Sequence, residues 1–451
     1  MQKLFGTDGI RGRANAYPMT PETALKTGRA VAGFFKRESG DPAKIIIGKD
    51  TRISGDMLEN ALAAGICSMG VDVYLTGILP TPGVAYLTAK MDFAAGIVIS
   101  ASHNPYFDNG IKLFNRNGFK LNDSQERKIE NLIIEEKWDR NPPPDTKIGR
   151  IQSIFDAMDR YVGFLSSTIT DKNKLRPFSV VLDCANGATY QAAPKLFESM
   201  GVKVHTLFNS PDGININAKC GSQHPEELAK EVMAQKADIG LAFDGDGDRL
   251  IAVDETGSVL SGDQILTICA HHMKKNGLLT GNQVVSTIMS NMGFKQALFK
   301  MKIDHKETYV GDRHVMEKMR ACGAVLGGED SGHLIFLDHH STGDGLLAAL
   351  RLLLALAEDN KPLSKLSQLM TVFPQVLINV DVKDKPDLKT LPAVADAILK
   401  AKARLGSKGR VLVRYSGTQP QCRVMVEGLK METAQAECRN ISDVIKNTIG
   451  M

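Results

Sequence analysis

Short apolar runs alternate with amphipathic stretches along most of the chain, and this alternation predicts repeated strand–helix units. Residues 44–47 and 71–74 are predicted strands. Between them, residues 56–70 are predicted to form a helix, because apolar side chains recur there at helical spacing from Leu58 onward. Gly70 lies where a helix commonly stops. The repetition is typical of an α/β protein.

Breaks in this pattern divide the chain into four segments. The proline-rich stretch at residues 141–144 is a predicted linker. A strand at residues 179–182 opens the second segment, and a helix at residues 345–357 belongs to the third. Residues 376–382 open a smaller β-α-β-β-α unit that ends in a helix at residues 433–447. We therefore predict four domains, at residues 1–150, 151–255, 256–368 and 369–451.

The heptapeptide Ile-Ser-Ala-Ser-His-Asn-Pro at residues 99–105 follows an apolar run that predicts a buried strand. Pro105 prevents the strand from continuing, and it also restricts the backbone of Asn104. Ser102 and His103 are therefore expected on a stiff loop at a strand end, where open α/β sheets bind their ligands. The alternative is an ordinary turn built from good turn-forming residues.

Three aspartates alternate with glycines in the stretch Asp-Gly-Asp-Gly-Asp-Arg at residues 244–249, which follows another apolar run. Their mutual repulsion requires a countercharge, and their oxygen atoms suit Mg²⁺. An EF-hand is one alternative, because Glu255 falls at the twelfth position of such a loop. Its sixth position requires glycine, however, and is Arg249 here. A solvated acidic turn is the other alternative. The predicted metal ligands are Asp244, Asp246 and Asp248.

A third loop offers groups that can bind a polyol. Residues 328–333 read Gly-Glu-Asp-Ser-Gly-His between two apolar runs. The carboxylate of Glu329 and the hydroxyl of Ser331 can both bond to vicinal hydroxyls. An acidic hairpin that carries His333 as an ordinary surface residue is the alternative.

A fourth loop offers groups that can bind a phosphate. Residues 414–420 read Arg-Tyr-Ser-Gly-Thr-Gln-Pro, and Arg423 follows. Guanidinium forks, hydroxyls and a glycine backbone together form a phosphate cradle. The Gly-x-x-x-x-Gly-Lys-Ser/Thr pattern is missing from the sequence, which excludes a nucleotide P-loop. The predicted phosphate ligands are Arg414, Ser416, Gly417, Thr418 and Arg423.

Composition narrows the class of protein further. A net charge of +4 from 55 basic and 51 acidic residues is too balanced for a nucleic-acid binder. The start of the chain has no apolar signal-peptide core, and the apolar segment at residues 346–357 is too short to span a bilayer. Seven cysteines without a Cys-x-x-Cys pair predict a reducing compartment, with Cys67 and Cys269 in the core. We expect a cytoplasmic protein without nucleic-acid or membrane partners.

The four loops together supply a serine that can carry a phosphoryl group, a metal site, side chains that bind hydroxyls and side chains that bind a phosphate. In-line phosphoryl transfer depends on positioning and on charge neutralisation more than on elaborate covalent chemistry. This combination predicts phosphoryl transfer on a phosphosugar.

The four loops, in this order, resemble those of the α-D-phosphohexomutase superfamily, and the resemblance covers essentially the whole chain. The opening Phe-Gly-Thr-Asp-Gly-Ile-Arg-Gly at residues 5–12 also resembles the superfamily pattern. The resemblance implies three similar α/β/α domains with mixed sheets and a smaller C-terminal α+β domain, arranged around a central active-site cleft.

Several motifs that are less specific than the four loops are similar to those of the bacterial branch of the superfamily that acts on glucosamine phosphates. They lie at residues 48–52, 183–189, 213–217 and 342–345. Two positions depart from the usual patterns. Gln419 stands where the phosphate loop usually has glutamate, which removes a negative charge beside the phosphate. Asp330 stands where the sugar loop commonly has glutamine, which bears on sugar specificity rather than on the reaction class.

The resemblance implies a phosphate carried on Ser102, whose oxygen is a further ligand of Mg²⁺ beside the three aspartates. Phosphoserine would convert glucosamine 6-phosphate into glucosamine 1-phosphate through glucosamine 1,6-bisphosphate. Glu329 and Ser331 would bind the sugar hydroxyls in either orientation of the sugar, and the fourth loop would bind either phosphate of the bisphosphate. A kinase or another phosphoryl donor would load Ser102. The activity would belong to cell-wall precursor synthesis, and a homodimer is a further expectation.

A general base must take the proton of the sugar hydroxyl. The candidates are Lys112, Arg11 and His333, of which His333 has the most suitable ordinary pKa. His103 and Lys112 are expected to orient and neutralise the phosphoserine, and Arg249 to fix the carboxylates or contact phosphate. The alternatives are a solvated strand lysine at position 112 and an arginine at position 11 that caps a structural carboxylate.

Two other functions compete with this prediction. A phosphomannomutase or phosphoglucomutase would use the same mechanism on a neutral sugar. A non-catalytic phosphosugar-binding protein with the same fold would lack some of the catalytic residues. The sequence retains Ser102, His103, the three aspartates and the phosphate loop, which favours an enzyme.

Overall fold

The computed structural model describes residues 4–6, 8–39, 43–138, 143–416 and 420–451. It contains two compact units. The large unit comprises Met1–Ile288 and Asp304–Leu369, and the small unit comprises Met289–Ile303 and Met370–Met451. In the predicted linker at 141–144, residues 141 and 142 lie outside the described residues.

The large unit begins with a mixed sheet covered by helices on both faces. Its strands are β1 (Ile10–Arg13), β2 (Lys44–Lys49), β3 (Asp72–Ile78), β4 (Ala95–Ile99), β5 (Asp108–Asn115) and β6 (Ile151–Ser153). Its helices are α1 (Pro21–Ser39), α2 (Gly55–Cys67), α3 (Thr81–Lys90) and α4 (Asp123–Glu135). The strand order is β1-β5-β4-β2-β3-β6, in which β2, β3, β4 and β6 run parallel and β5 runs antiparallel to β4.

This first sheet is hydrophobic on both faces because it is buried on both faces. Alternate side chains of its central strands, such as Ile45 and Ile97, pack with residues of α1, α2 and α4, and α3 packs on the sheet from the opposite face. The strand β6 lies just beyond residue 150 and pairs with β3. The four domain boundaries stay predictions.

A second mixed sheet follows in the large unit. Its strands are β7 (Ser179–Asp183), β8 (Lys203–Leu207), β9 (Ile239–Phe243), β10 (Leu250–Asp254) and β11 (Val259–Leu260). The helices of this part of the chain are α5 (Ala157–Ser167), α6 (Thr189–Ser199) and α7 (Glu226–Gln235). The strand order is β11-β10-β9-β7-β8, with β9 and β10 antiparallel. Strands rather than helices therefore flank the aspartate loop, which confirms the exclusion of an EF-hand.

The third mixed sheet of the large unit contains β12 (Gln283–Thr287), β13 (Asp304–Thr308), β14 (Leu326–Gly328) and β15 (Leu334–Phe336). Its strand order is β13-β12-β14-β15. The helices of this part of the chain are α8 (Gly262–Lys275), α9 (Met292–Lys300), α10 (Asp312–Cys322), α11 (Gly345–Asp359) and α12 (Leu363–Leu366). Helix α9 belongs to the small unit, and the other four belong to the large unit.

The rest of the small unit has the predicted β-α-β-β-α order. Its elements are β16 (Gln375–Asp381), α13 (Pro392–Leu405), β17 (Gly409–Tyr415), β18 (Gln421–Gly428) and α14 (Met431–Ile449). The three strands form an antiparallel sheet in the order β16-β18-β17. The apolar side chains of Val424 and Ile441 are among those that form its core. The predicted fold class, three α/β/α domains and a smaller C-terminal α+β domain, is confirmed.

Most predicted elements are present, and their ends shift by a few residues. The helix predicted over residues 56–70 ends at Cys67, because the amides of Met69 and Gly70 bond three residues back, to Ile66 and Cys67, and tighten the last turn. Cys67 and Cys269 are buried as predicted. Within the described part of the chain, no helix combines the length and the apolar character needed to cross a membrane.

Candidate active site

Ser102 lies on the loop that follows the fully buried strand β4, and its side chain reaches the aspartate loop. Its Oγ donates a 2.6 Å hydrogen bond to Asp244 Oδ2, although the two residues are 142 positions apart. Ser102 is 1% exposed and adopts a left-handed backbone conformation with φ of 55°. Its Oγ is 3.4 Å from His103 Nδ1. The predicted strand-end loop therefore presents a buried serine to the predicted metal ligands.

The three aspartates after β9 form a cluster that fits a divalent cation. One carboxylate oxygen from each of Asp244, Asp246 and Asp248 lies within 4.8 Å of the others, and all three residues are buried. Among the described residues, no group donates a hydrogen bond to Oδ1 of Asp246 or to Oδ1 of Asp248. Burial and the charges of the two neighbouring aspartates hold the pKa of Asp244 well above its usual range. Converging oxygen atoms with unused lone pairs are the ligand set that Mg²⁺ prefers.

Lys112, on strand β5 of the first sheet, supplies positive charge to this cluster. It is 1% exposed, so the alternative of a solvated strand lysine is wrong. Its Nζ lies 2.6 Å from Asp246 Oδ2, 3.5 Å from Asp248 Oδ2 and 3.3 Å from Asp8 Oδ2. Burial alone would lower the pKa of Lys112, but these carboxylates raise it. The lysine is therefore a charged partner of the predicted metal ligands.

Two arginines and His103 surround the same loops. Arg11 forms an ion pair with Asp8, as the capping alternative predicts, and its Nη1 also lies 3.5 Å from the carbonyl oxygen of Ala101. Arg249 Nε lies 3.8 Å from Asp248 Oδ1. Burial, together with the charges of both arginines, lowers the pKa of His103 to about 4. His103 is therefore neutral at physiological pH in this arrangement.

The predicted sugar loop joins β14 to β15 and is bonded to the start of β10, directly after the aspartate loop at residues 244–249, here called the metal loop. Leu250 N, at the start of β10, donates a 3.0 Å hydrogen bond to Gly332 O. Gly332 has φ of 91°, and a Cβ there would lie 2.2 Å from Leu250 O, so only glycine allows this approach. Glu329 Oε1 accepts a 2.9 Å hydrogen bond from Gly311 N, and Ser331 lies half-buried beside it.

His333 is buried between two carboxylates, so the alternative of a surface histidine is wrong. Its Nδ1 lies 3.6 Å from Asp248 Oδ2, and its Nε2 lies 3.7 Å from Asp312 Oδ2. Burial disfavours the charged ring, but the two carboxylates outweigh this effect and raise the pKa of His333. The histidine thus connects the sugar loop to the metal ligands.

Sequence reasoning missed a charged group next to these residues. Lys120 forms ion pairs with both Asp8 and Asp312, and all three side chains are largely buried. Lys120, Asp312 and His333 line a cavity of about 100 Å³ in the large unit. Asp8 belongs to the motif at residues 5–12, but nothing in the local pattern marks Lys120 or Asp312. Only the tertiary contacts bring these groups to the sugar loop.

The predicted phosphate loop lies in the small unit, between β17 and β18. Arg414 and Arg423 are directly opposite each other in this antiparallel ladder. Like charges in such a pair are unfavourable, and burial together with the charge of Arg423 lowers the pKa of Arg414. Among the described residues, no group bonds to the buried Nε of Arg423. The pair therefore has unused capacity for an anion.

Ser416 begins this loop and is buried. Its amide donates to Gln421 O at 2.8 Å, and Lys385 Nζ donates to Ser416 O at 2.7 Å. Gly417, Thr418 and Gln419 lie outside the described residues. The structure thus brings Ser102, His103, Lys112, Arg11, Arg249, His333 and the three aspartates together in the large unit. Arg414, Ser416 and Arg423 lie together in the small unit.

The sequence matches four family profiles that follow one another along the chain. They describe phosphoglucomutase/phosphomannomutase alpha/beta/alpha domain I at residues 2–140, domain II at 159–257, domain III at 261–373 and the C-terminal domain at 377–444. The resemblance noted from the four loops is confirmed.

Curated relatives and solved structures agree with these matches. The phosphoglucosamine mutase of Syntrophus aciditrophicus is 57% identical, and that of Syntrophobacter fumaroxidans 55% identical, each covering 100% of both chains. A phosphoglucomutase/phosphomannomutase family protein from Burkholderia thailandensis has a TM-score of 0.82 at 25% identity and also covers 100% of both chains.

The N-acetylphosphoglucosamine mutase of Aspergillus fumigatus, solved with GlcNAc-6P and magnesium, has the same fold. It has a TM-score of 0.64 at 16% identity and covers 98% of this chain and 95% of its own. Because all four domain profiles match in order and full-length relatives share more than half of their residues with it, the chain belongs to the phosphoglucomutase/phosphomannomutase family and is a phosphohexomutase enzyme.

Proposed function

We propose that this phosphohexomutase interconverts glucosamine 6-phosphate and glucosamine 1-phosphate through a phosphorylated Ser102 and glucosamine 1,6-bisphosphate. The choice of sugar is supported by the name phosphoglucosamine mutase, which relatives at 57% and 55% identity carry. The observation that carries the reaction is the 2.6 Å hydrogen bond from Ser102 Oγ to Asp244, within a cluster suited to a cation.

In the forward reaction, phosphorylated Ser102 transfers its phosphoryl group to the free C1 hydroxyl of glucosamine 6-phosphate. The bond between phosphorus and Ser102 Oγ breaks, and a bond between phosphorus and the sugar oxygen forms. The sugar hydroxyl gives up its proton, and Ser102 Oγ leaves as an oxyanion. The bisphosphate then turns end for end, and the Ser102 oxyanion attacks the phosphorus of the C6 phosphate. The bond between that phosphorus and the C6 oxygen breaks, and the C6 oxygen takes back the proton held by the base, which gives glucosamine 1-phosphate.

Positive charge must face the phosphoryl group during both transfers. A Mg²⁺ ion held by the three aspartates supplies Lewis-acid charge to the transferring group when it is bound. Lys112 holds Asp246 in place from a buried position, and Arg249 lies beside Asp248 in the same loop. His103, whose Nδ1 lies 3.4 Å from Ser102 Oγ, orients the phosphate-carrying side chain.

The proton of the sugar hydroxyl needs an acceptor. Neighbouring carboxylates raise the pKa of His333, of Lys112 and of Arg11, which favours the protonated form of each candidate. The acceptor must therefore be deprotonated before it can take the proton of the sugar hydroxyl. Because its ordinary pKa lies nearest to neutrality, His333 needs the smallest change and is the proposed base.

Turning the bisphosphate requires binding groups that accept both orientations. We assign Glu329 and Ser331 to the sugar hydroxyls, and the phosphate loop to whichever phosphate is not reacting. The loop assignment comprises Arg414, Ser416, Gly417, Thr418 and Arg423. Ser102 receives its first phosphate from a kinase, from another phosphoryl donor or from the 1,6-bisphosphate itself.

Initial rates on three substrates test the proposed sugar. Glucosamine 6-phosphate, glucose 6-phosphate and mannose 6-phosphate would each be assayed with Mg²⁺ and a trace of the matching 1,6-bisphosphate. We expect the highest kcat/KM for the amino sugar. A preference for a neutral sugar would retain the reaction and overturn the substrate, and the half-buried Asp330 would be the first specificity residue to exchange.

Replacing Arg414 with alanine tests the phosphate loop. A charge-assisted hydrogen bond is lost, so KM should rise about 10- to 100-fold, with a smaller change in kcat. Arg404→Ala in the same unit is the matched control, because Arg404 pairs with Glu437 at 2.7 Å and is not part of the loop. An Arg414→Ala enzyme with the KM of the control would show that this loop does not hold phosphate.

A further inference from the structure

Two side chains far apart in the sequence bond to the same pair of backbone carbonyls beside Ser102. Arg52 Nη2 donates to Ser102 O and to Asn104 O, both at 2.9 Å. Asn217 Nδ2 donates to the same two oxygens, at 2.9 and 3.0 Å. Neither side chain belongs to the set that is expected to touch the substrate.

The amide of Ser102 is fixed by the same buried network. It donates to Ser100 Oγ at 2.9 Å, and that hydroxyl donates to Asp50 Oδ2 at 2.5 Å. Asp50 Oδ2 also lies 3.1 Å from Arg52 Nε, and both of these charged side chains are 0% exposed. The buried ion pair of Asp50 and Arg52 therefore holds Ser102 on both sides. Asp50 is connected to the N–H of Ser102 through the Ser100 hydroxyl, and Arg52 bonds directly to the carbonyl of Ser102.

These contacts matter because Ser102 has φ of 55°, a left-handed conformation that residues with a Cβ seldom adopt. Such a conformation persists only where the surroundings determine it. In an ordinary extended conformation the Cβ of Ser102 would point elsewhere, and its Oγ would leave Asp244. The carbonyl contacts thus determine the direction of the group that carries the phosphate.

Asn217 is itself held for this role. It adopts φ of 58°, and its amide donates to Ala185 O at 2.9 Å. A Cβ at Gly245, in the metal loop, would lie 2.6 Å from Ser102 O and 2.7 Å from Asn217 Nδ2. The metal loop therefore packs directly against this bonded carbonyl, and a glycine is needed at position 245.

We propose that Arg52 and Asn217 are positioning residues that hold Ser102 in its left-handed conformation and aim its Oγ at the metal loop. This inference rests on the proposed function, in which Ser102 carries the phosphate. It also explains two of the less specific sequence motifs, at residues 48–52 and 213–217, because each supplies one of the two donors.

Asn217→Asp tests the proposal without changing the size of the side chain. Aspartate tolerates the left-handed region, but its carboxylate cannot donate and repels the two carbonyl oxygens. The matched control is Asn215→Asp, because Asn215 Nδ2 donates at 3.0 Å to Ser210 O, within its own loop. We expect Asn217→Asp to lower kcat about 10- to 100-fold, since small misplacement of a reacting group is costly.

The split between kcat and KM separates positioning from general damage to the loop. KM should stay within about two-fold of wild type in both variants, and only Asn217→Asp should lose kcat. Equal kcat values for the two variants would overturn the proposal. A Ser102→Ala enzyme measured alongside separates the two hypotheses. If it loses turnover while Asn217→Asp does not, only the positioning role fails, and if it retains turnover, the phosphoserine mechanism fails as well.

Discussion

Replacing Ser102 with alanine is expected to lower mutase turnover by at least about 1,000-fold, because the variant lacks the hydroxyl that carries the phosphoryl group in the proposed mechanism. The fold and the binding of Mg²⁺ by the three aspartates should be retained. The side chain is small, and the oxygens of the three aspartates remain in place. Steady-state rates with Mg²⁺ and 1,6-bisphosphate measure the loss, and isothermal titration with Mg²⁺ measures the retained site.

A serine outside the site provides the control for this experiment. Ser199 Oγ donates to Leu196 O at the end of α6, and Ser199→Ala should keep wild-type turnover. Incubation with radiolabelled 1,6-bisphosphate should label wild type and Ser199→Ala but not Ser102→Ala. Turnover or labelling of Ser102→Ala at the wild-type level would contradict the phosphoserine mechanism.

The loops that carry chemistry could be predicted because local rules mark them. Pro105 has no backbone N–H to donate and so cannot continue a central strand, and the mutually repelling aspartates before Arg249 cannot form a stable apolar element. Both signals depend only on neighbouring residues, and the structure has a strand end before Ser102 and before Asp244 as expected. The order of the elements in the small unit was predictable for the same reason.

Local sequence patterns do not reveal the partners of these loops, because the partners come from distant parts of the chain, and Lys112 is expected here only through the family resemblance. Lys112 lies 134 residues from Asp246, and a single lysine in a strand is usually solvated. Nothing near Lys120 indicates that it is buried between two carboxylates. Asn217 is in a motif typical of the amino-sugar branch, but its bond to the carbonyl of Ser102 appears only in the folded chain.

Lys112 and a bound divalent cation would each compensate the negative charge of the metal loop, and Lys112→Met separates these two effects. The variant removes a buried ammonium from contact with three carboxylates but keeps the length of the side chain. Leaving buried charges without their partner costs about 3–5 kcal/mol, so the metal-free variant should be strongly destabilised. A divalent cation replaces the lost charge and no longer meets repulsion from Lys112.

Mg²⁺ should therefore stabilise Lys112→Met more than it stabilises wild type, since binding to the native state alone raises its stability. Thermal unfolding with and without Mg²⁺ measures the difference. Lys49→Met is the matched control, because Lys49 also pairs with two carboxylates, but these are Asp56 and Glu59 rather than aspartates of the metal loop. Its destabilisation should not depend on Mg²⁺. If Mg²⁺ raised the unfolding temperature of both lysine variants equally, the charge of Lys112 would not be coupled to the aspartate cluster, and its short distance to Asp246 would be a structural contact only.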